Sequence, residues 1–142
     1  MKKEVIIVVA EDDPGHMALL QMNFKRVGIL NEVIHFENGE DTLDFFFGDG
    51  EGPHREPDTS YLLLLDIRMP KVDGIDVLKK IKNNEATRKM PTIMLTTTDD
   101  PLEIDKCYDL GCNNYIVKPV QYENFVNAVK QLGLFLMVME IP

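Results

Sequence analysis

Five short apolar runs punctuate the chain, and each gives way to polar residues at its C-terminal end. They are "VIIVVA" (5–10), "EVIHF" (32–36), "YLLLLD" (61–66), "TIMLTTT" (92–98) and "NYIVKP" (114–119). Most are continuous and rich in Val, Ile and Leu rather than alternating with polar residues, which suits strands buried on both faces. Between them the spacing turns helical. Asp13 and Pro14 fit an N-cap and a first helical position, Met17, Leu20, Phe24 and Val27 recur on one face, and Gly28 stands where that helix would stop. A short helix is expected over 39–47, and "GIDVLKKIKNN" (74–84) reads as an amphipathic one. Asp100 and Pro101 open a fourth helix, with Ile104, Cys107 and Tyr108 on one face and Gly111 past its end. A fifth starts near Gln121. The stretch "GDGEGPHREPDTS" (48–60) is dense in Gly, Pro and Asp and predicts a mobile surface loop.

Strand and helix thus alternate strictly, five of each. Continuous strand hydrophobicity calls for a parallel sheet with helices on both faces, and right-handed crossovers make this a three-layer, doubly wound α/β fold. No repeat or linker divides the 142 residues, which suffice for one domain with a real core. With 44% hydrophobic and 27% charged residues, the composition is globular rather than disordered. A net charge of −9 argues against nucleic acid or an anionic membrane as direct partner. No apolar run approaches the ~18 residues needed to span a bilayer. The opening "MKKEVIIVVAEDD" runs into acids without a cleavage site, so it reads as a strand rather than a signal peptide, and a cytoplasmic location is expected. Cys107 and Cys112 match no metal or redox spacing and are expected to be buried, reduced and structural.

In a sheet of this kind ligands bind beyond the carboxyl ends of the strands. Those ends carry Glu11, Asp12 and Asp13 after the first strand, Asp66 after the third, Thr96 to Thr98 after the fourth and Lys118 after the fifth; the second adds little. Each has an ordinary use: Asp13 as a helix cap, the threonines as β-branched strand residues, Lys118 as a solvated lysine, Asp66 as a turn residue before Pro70. Taken together they place acids, hydroxyls and an ammonium from four strands at one edge. Clustered carboxylates repel, so holding them together calls for a hard divalent cation such as Mg²⁺. A carboxylate beside Mg²⁺ and a lysine can attack phosphorus to give an aspartyl phosphate, with metal and ammonium offsetting the transferred charge. A nearby threonine hydroxyl could bond a phosphoryl oxygen.

Residues 4 to about 132 resemble the receiver domain of two-component response regulators. The likeness rests on the acidic pair Glu11–Asp12, the "D-x-x-M-P-x-x-D-G" segment from Asp66 to Gly74, Thr96 after the fourth strand and Lys118–Pro119. The resemblance implies a flavodoxin-like (βα)5 sheet of order 2-1-3-4-5 and a switch that catalyses its own phosphorylation rather than an enzyme acting on others. It further implies that Asp66 accepts a phosphoryl group from a sensor histidine kinase. Asp12, Asp66 and the Arg68 carbonyl would bind Mg²⁺, with Mn²⁺ as an alternative, and Glu11 would act through water. Lys118 would pair with the phosphoryl group across a cis bond to Pro119. Thr96 and Tyr115 would switch the face formed by the fourth helix, fifth strand and fifth helix, which would engage a downstream protein or a phosphotransfer partner.

The long insert from Phe45 to Ser60, the phrase "LTTTDDPLEI" and the tail resemble the single-domain regulators paired with phytochrome-like histidine kinases. Two positions depart from common receiver patterns. Arg68 and Thr98 stand where side chains flank water's approach to the phosphate, and neither is an evident acid or base, so slow autodephosphorylation is expected. Residues 133–142 are expected to form an apolar extension rather than a separate output domain; Leu134 to Met139 are six apolar residues in a row and are expected to help build a homodimer. Two other readings compete. A Mg²⁺-dependent phosphohydrolase commonly wants a second carboxylate two residues after its nucleophile, where Arg68 stands. An FMN carrier of this fold wants a phosphate-cradling first loop, whereas "EDDPGH" repels phosphate unless a metal intervenes.

Overall fold

The computed structural model describes residues 5–26, 28–48 and 51–118. Five strands, β1 (Ile6–Ala10), β2 (Val33–Phe36), β3 (Tyr61–Leu65), β4 (Thr92–Thr96) and β5 (Asn114–Val117), alternate with α1 (Pro14–Arg26), α2 (Gly39–Phe47), α3 (Gly74–Lys82) and α4 (Pro101–Leu110). The sheet is wholly parallel, in the order β2-β1-β3-β4-β5. The expected order and architecture are therefore present. The expected fifth helix, Pro119 and the apolar tail lie outside the described residues.

Strand periodicity sorts the core into two layers. Val5, Ile7 and Val9 join Leu62, Leu64, Ile93 and Leu95 on the face covered by Met17, Leu20 and Phe24 of α1. Val8, Ala10, Leu63, Leu65 and Met94 face the other way, against Phe45 and Phe46 of α2, Val77, Leu78 and Ile81 of α3, and Cys107 of α4. Because both faces are covered, strands such as YLLLL carry no charged residue at all.

Register brings the strand ends into line. Ala10 pairs with both Phe36 and Leu65, so the residues that follow β1 and β3 emerge side by side, and the Asp66 amide donates to the Ala10 carbonyl at 3.1 Å. Thr96 pairs with Val117, placing Lys118 just past it. The strands end where this pairing ends: Asp66, Thr97, Thr98 and Lys118, expected within strands, lie just beyond them. Among the described helices none is long and apolar enough to cross a membrane.

The loop expected to be mobile is in part pinned. Arg55 donates its amide to the Phe45 carbonyl and its Nε to that of Phe46, at 2.8 and 3.0 Å, while the Glu56 amide reaches the Tyr61 hydroxyl at 2.9 Å. The last carbonyls of a helix have no partner within it, and here the loop supplies them. Beneath lies a cluster of Phe36, Phe45, Phe46 and Tyr61 with centroids 5.1–6.0 Å apart, mostly edge-on. Cys107 and Cys112 are buried free thiols, as expected; burial pushes both up, Cys112 to about 11, which keeps them protonated and inert.

Two glycines matter by closeness rather than by conformation. A Cβ on Gly74 would stand 2.0 Å from the Asp66 carbonyl oxygen, and one on Gly39 equally close to that of Val72. Both obstacles are backbone, so neither can swing aside. Gly74→Ala should therefore lower unfolding free energy by about 3 kcal/mol, the upper range for overpacking; an unchanged denaturant midpoint would contradict this packing.

Candidate functional site

Glu11, Asp66, Thr96 and Lys118 are all buried at the C-terminal edge of the sheet, whereas Asp12 is exposed. Carboxylate oxygens of Glu11, Asp12 and Asp66 lie within 4.8 Å of one another. The Lys118 ammonium is set among them. It pairs with Glu11 Oε1, lies 3.6 Å from Asp66 Oδ2 and 3.1 Å from His16 Nδ1. An ammonium has only protons to offer, so a neutral His16 must accept through Nδ1 and carry its own proton on Nε2. Burial pushes the Glu11 carboxyl above its usual range; Lys118 opposes that shift and Asp66 adds to it.

Two polar atoms here lack a hydrogen-bond partner although buried: Asp66 Oδ1 and Thr96 Oγ1. Such atoms are rare in folded proteins and ask for an explanation. An unpaired carboxylate oxygen beside two further acids suits a hard cation with oxygen ligands. An unpaired hydroxyl at the same edge suits an anionic oxygen as acceptor. Asp66 itself is held by the backbone on two sides, its amide bonded to β1 and its carbonyl against Gly74, so its Cα is anchored at this edge.

The remaining expected residues are placed as follows. Asp13 serves α1 as its cap, accepting from the His16 and Gly15 amides, and these bonds hold its carboxyl below the usual range. The Arg68 side chain turns to the α4 side, with Nη2 3.4 Å from Glu103 Oε1. Tyr115 is half-buried on β5, and its hydroxyl donates to the Thr98 carbonyl at 2.7 Å; burial drives the phenol well above its ordinary range. Strand β2, expected to add little, supports the acids from behind: the Glu11 amide donates to the Phe36 carbonyl at 3.0 Å, and His35 Nε2 lies 2.6 Å from the Glu11 carbonyl oxygen. His16, His35 and Glu103 are the site neighbours that strand-end reading overlooks. His16 alone carries a sequence signal, standing one helical turn beyond the acidic triplet.

The profile of the response regulator receiver domain matches residues 7–130. The response regulator Rcp1 of Synechocystis is 28% identical over 92% of this chain and 87% of its own length. Its Mn(2+)-bound structure superposes with a TM-score of 0.82, covering 97% of this chain and 99% of that one. A response regulator receiver domain from Rhodospirillum rubrum is 50% identical, with a TM-score of 0.84 and 97% of each chain covered. The bacteriophytochrome response regulator RtBRR is 35% identical, with a TM-score of 0.80 over 99% of this chain and 85% of that one. The receiver profile spans nearly the whole chain, over one parallel sheet whose strand ends gather an acidic cluster, a threonine and a lysine: the chain belongs to the response regulator receiver domain family of two-component systems.

Proposed function

We propose that this receiver takes a phosphoryl group onto Asp66 from the phosphohistidine of a sensor kinase, and signals through a protein-binding face that the modification changes. The observation that carries this is the Asp66 carboxylate, buried, braced by backbone, with one oxygen unpaired and the Lys118 ammonium near the other. In the reaction an Asp66 oxygen attacks phosphorus and an O–P bond forms. The P–N bond breaks, its electron pair returns to the imidazole, and solvent supplies the proton that imidazole needs. Lys118 would leave Glu11 to pair with the new phosphoryl oxygens, and the Thr96 hydroxyl would donate to another.

Asp12, Asp66 and the Arg68 carbonyl, with Glu11 through a water, are the groups that would hold Mg²⁺, or Mn²⁺ as the Rcp1 structure does. Bound there, the ion supplies positive charge to the phosphoryl oxygens. Without it the phosphoryl group would meet two further carboxylates, so the requirement follows from charge. Tyr115, whose hydroxyl donates to the Thr98 carbonyl, would follow the Thr96 hydroxyl and alter the face of α4, β5 and the expected fifth helix.

The similarity to Rcp1 and RtBRR supports a phytochrome-like histidine kinase as the donor, and either a downstream protein or a phosphotransfer protein as recipient. We read residues 1–132 as the receiver and 133–142 as an apolar extension that joins the same face in a homodimer. The net charge of −9 favours protein partners over nucleic acid or an anionic membrane. Neither rival chemistry gains support: Arg68, where a hydrolase would want its second carboxylate, is occupied with Glu103, and the acids that ring the first loop oppose a flavin phosphate.

Phosphotransfer profiling against candidate histidine kinases should label the parent chain in the presence of Mg²⁺ and leave Asp66→Asn at background; undiminished labelling of that variant would overturn the acceptor assignment. With no acid or base at position 68 to align water, the purified phosphoprotein should decay over minutes to hours, and a half-life of seconds is the contrary result. Sedimentation at micromolar concentration should show a dimer, and a monomer both with and without phosphorylation would refute the role given to the tail.

A further inference from the structure

The ion pair between Arg68 and Glu103 spans the loop after β3 and the first turn of α4. Its two halves are unequally placed. The Arg68 side chain is 69% exposed, whereas that of Glu103 is only 25% exposed and its Oε2 is buried with no hydrogen-bond partner. Glu103 has a second reason to stay: an acid in the first turn of α4 lies at the positive end of the helix. Arg68 has none comparable. It is joined by one contact of 3.4 Å, long for a charged hydrogen bond, from a flexible side chain on a loop.

Asp66 lies two residues away. Esterified with phosphate, it would present more negative charge than Glu103 does, on several oxygens whose spacing suits the planar fork of a guanidinium. We propose that Arg68 is a phosphoryl-binding side chain held off the site by Glu103 until Asp66 is modified. The inference rests on the receiver reading of Asp66. Its consequence reaches past the phosphate: when Arg68 leaves, Glu103 keeps a buried oxygen without a partner and loses its cation. Such a group is costly until water or a rearranged helix end compensates it. The transfer of one guanidinium would thus act on α4 directly, beside the path through Thr96 and Tyr115.

The test is beryllofluoride binding to the full chain with Mg²⁺, since beryllofluoride on a carboxylate mimics the acyl phosphate, with affinity read by calorimetry. Glu103→Gln should tighten binding roughly threefold, about what an exposed ion pair is worth. Arg68→Ala, which keeps the backbone carbonyl, should weaken binding, and adding Glu103→Gln to it should then change nothing. Equal tightening by Glu103→Gln with and without Arg68 would overturn the proposal, as would no tightening when Arg68 is present. Mg²⁺ affinity without beryllofluoride should match the parent in Glu103→Gln; a parallel rise there would mean that Glu103 acts by through-space charge instead. Beryllofluoride binding that survives Asp66→Asn would sink the acceptor assignment itself, and this proposal with it.

Discussion

Everything at the C-terminal edge depends on how carboxylates can be kept together out of water. Glu11 and Asp66 are buried just past the ends of adjacent strands, and each would repel the other if left alone. Lys118 relieves that repulsion, its ammonium set between them after travelling in from the far side of β3 and β4. One ammonium cannot fully serve two acids as well as His16. The Glu11 carboxyl still sits above its usual range, and Asp66 keeps an oxygen unpaired. The site is thus short of positive charge, a shortage that a divalent cation would meet.

The parallel sheet is what makes such a gathering possible. Residues 11, 66, 96 and 118 are far apart along the chain, yet each follows a strand that runs the same way as its neighbours, so their ends share one edge. The long crossovers required by parallel strands then bring helix starts to that same edge. His16 on α1 and Glu103 on α4 arrive by this route, one on either side of Asp66. The α1 side therefore handles the resting position of Lys118, and the α4 side the resting position of Arg68.

The strands, the layers and the four buried site residues were legible because burial on both faces leaves an unmistakable apolar run, and a polar group at the end of such a run stands out; the strand order came only with the receiver resemblance. Asp66 after YLLLL is the clearest case. His35 was not legible: it lies inside a strand whose intermediate burial looks unremarkable, and only the pairing of β2 with β1 sets its ring beside the Glu11 carbonyl. Glu103 was hidden for a similar reason, since an acid in a first helical turn already has an adequate local explanation. Arg55 shows the limit in loops. Composition revealed the turns around it but not the helix-end carbonyls to which it is tied.

Gly74 has a mechanical meaning beyond stability. Its bare Cα lets the first turn of α3 press against the carbonyl of Asp66, while the Gly74 amide bonds the carbonyl of Ile67. The backbone of the proposed acceptor is therefore backed by a helix end with no room for a methyl group between them. A load placed on the Asp66 side chain cannot be absorbed by recoil in that direction. Relief would have to come from the other sides, so the absence of a single methyl group stiffens this edge from behind, as an anvil does under a hammer blow.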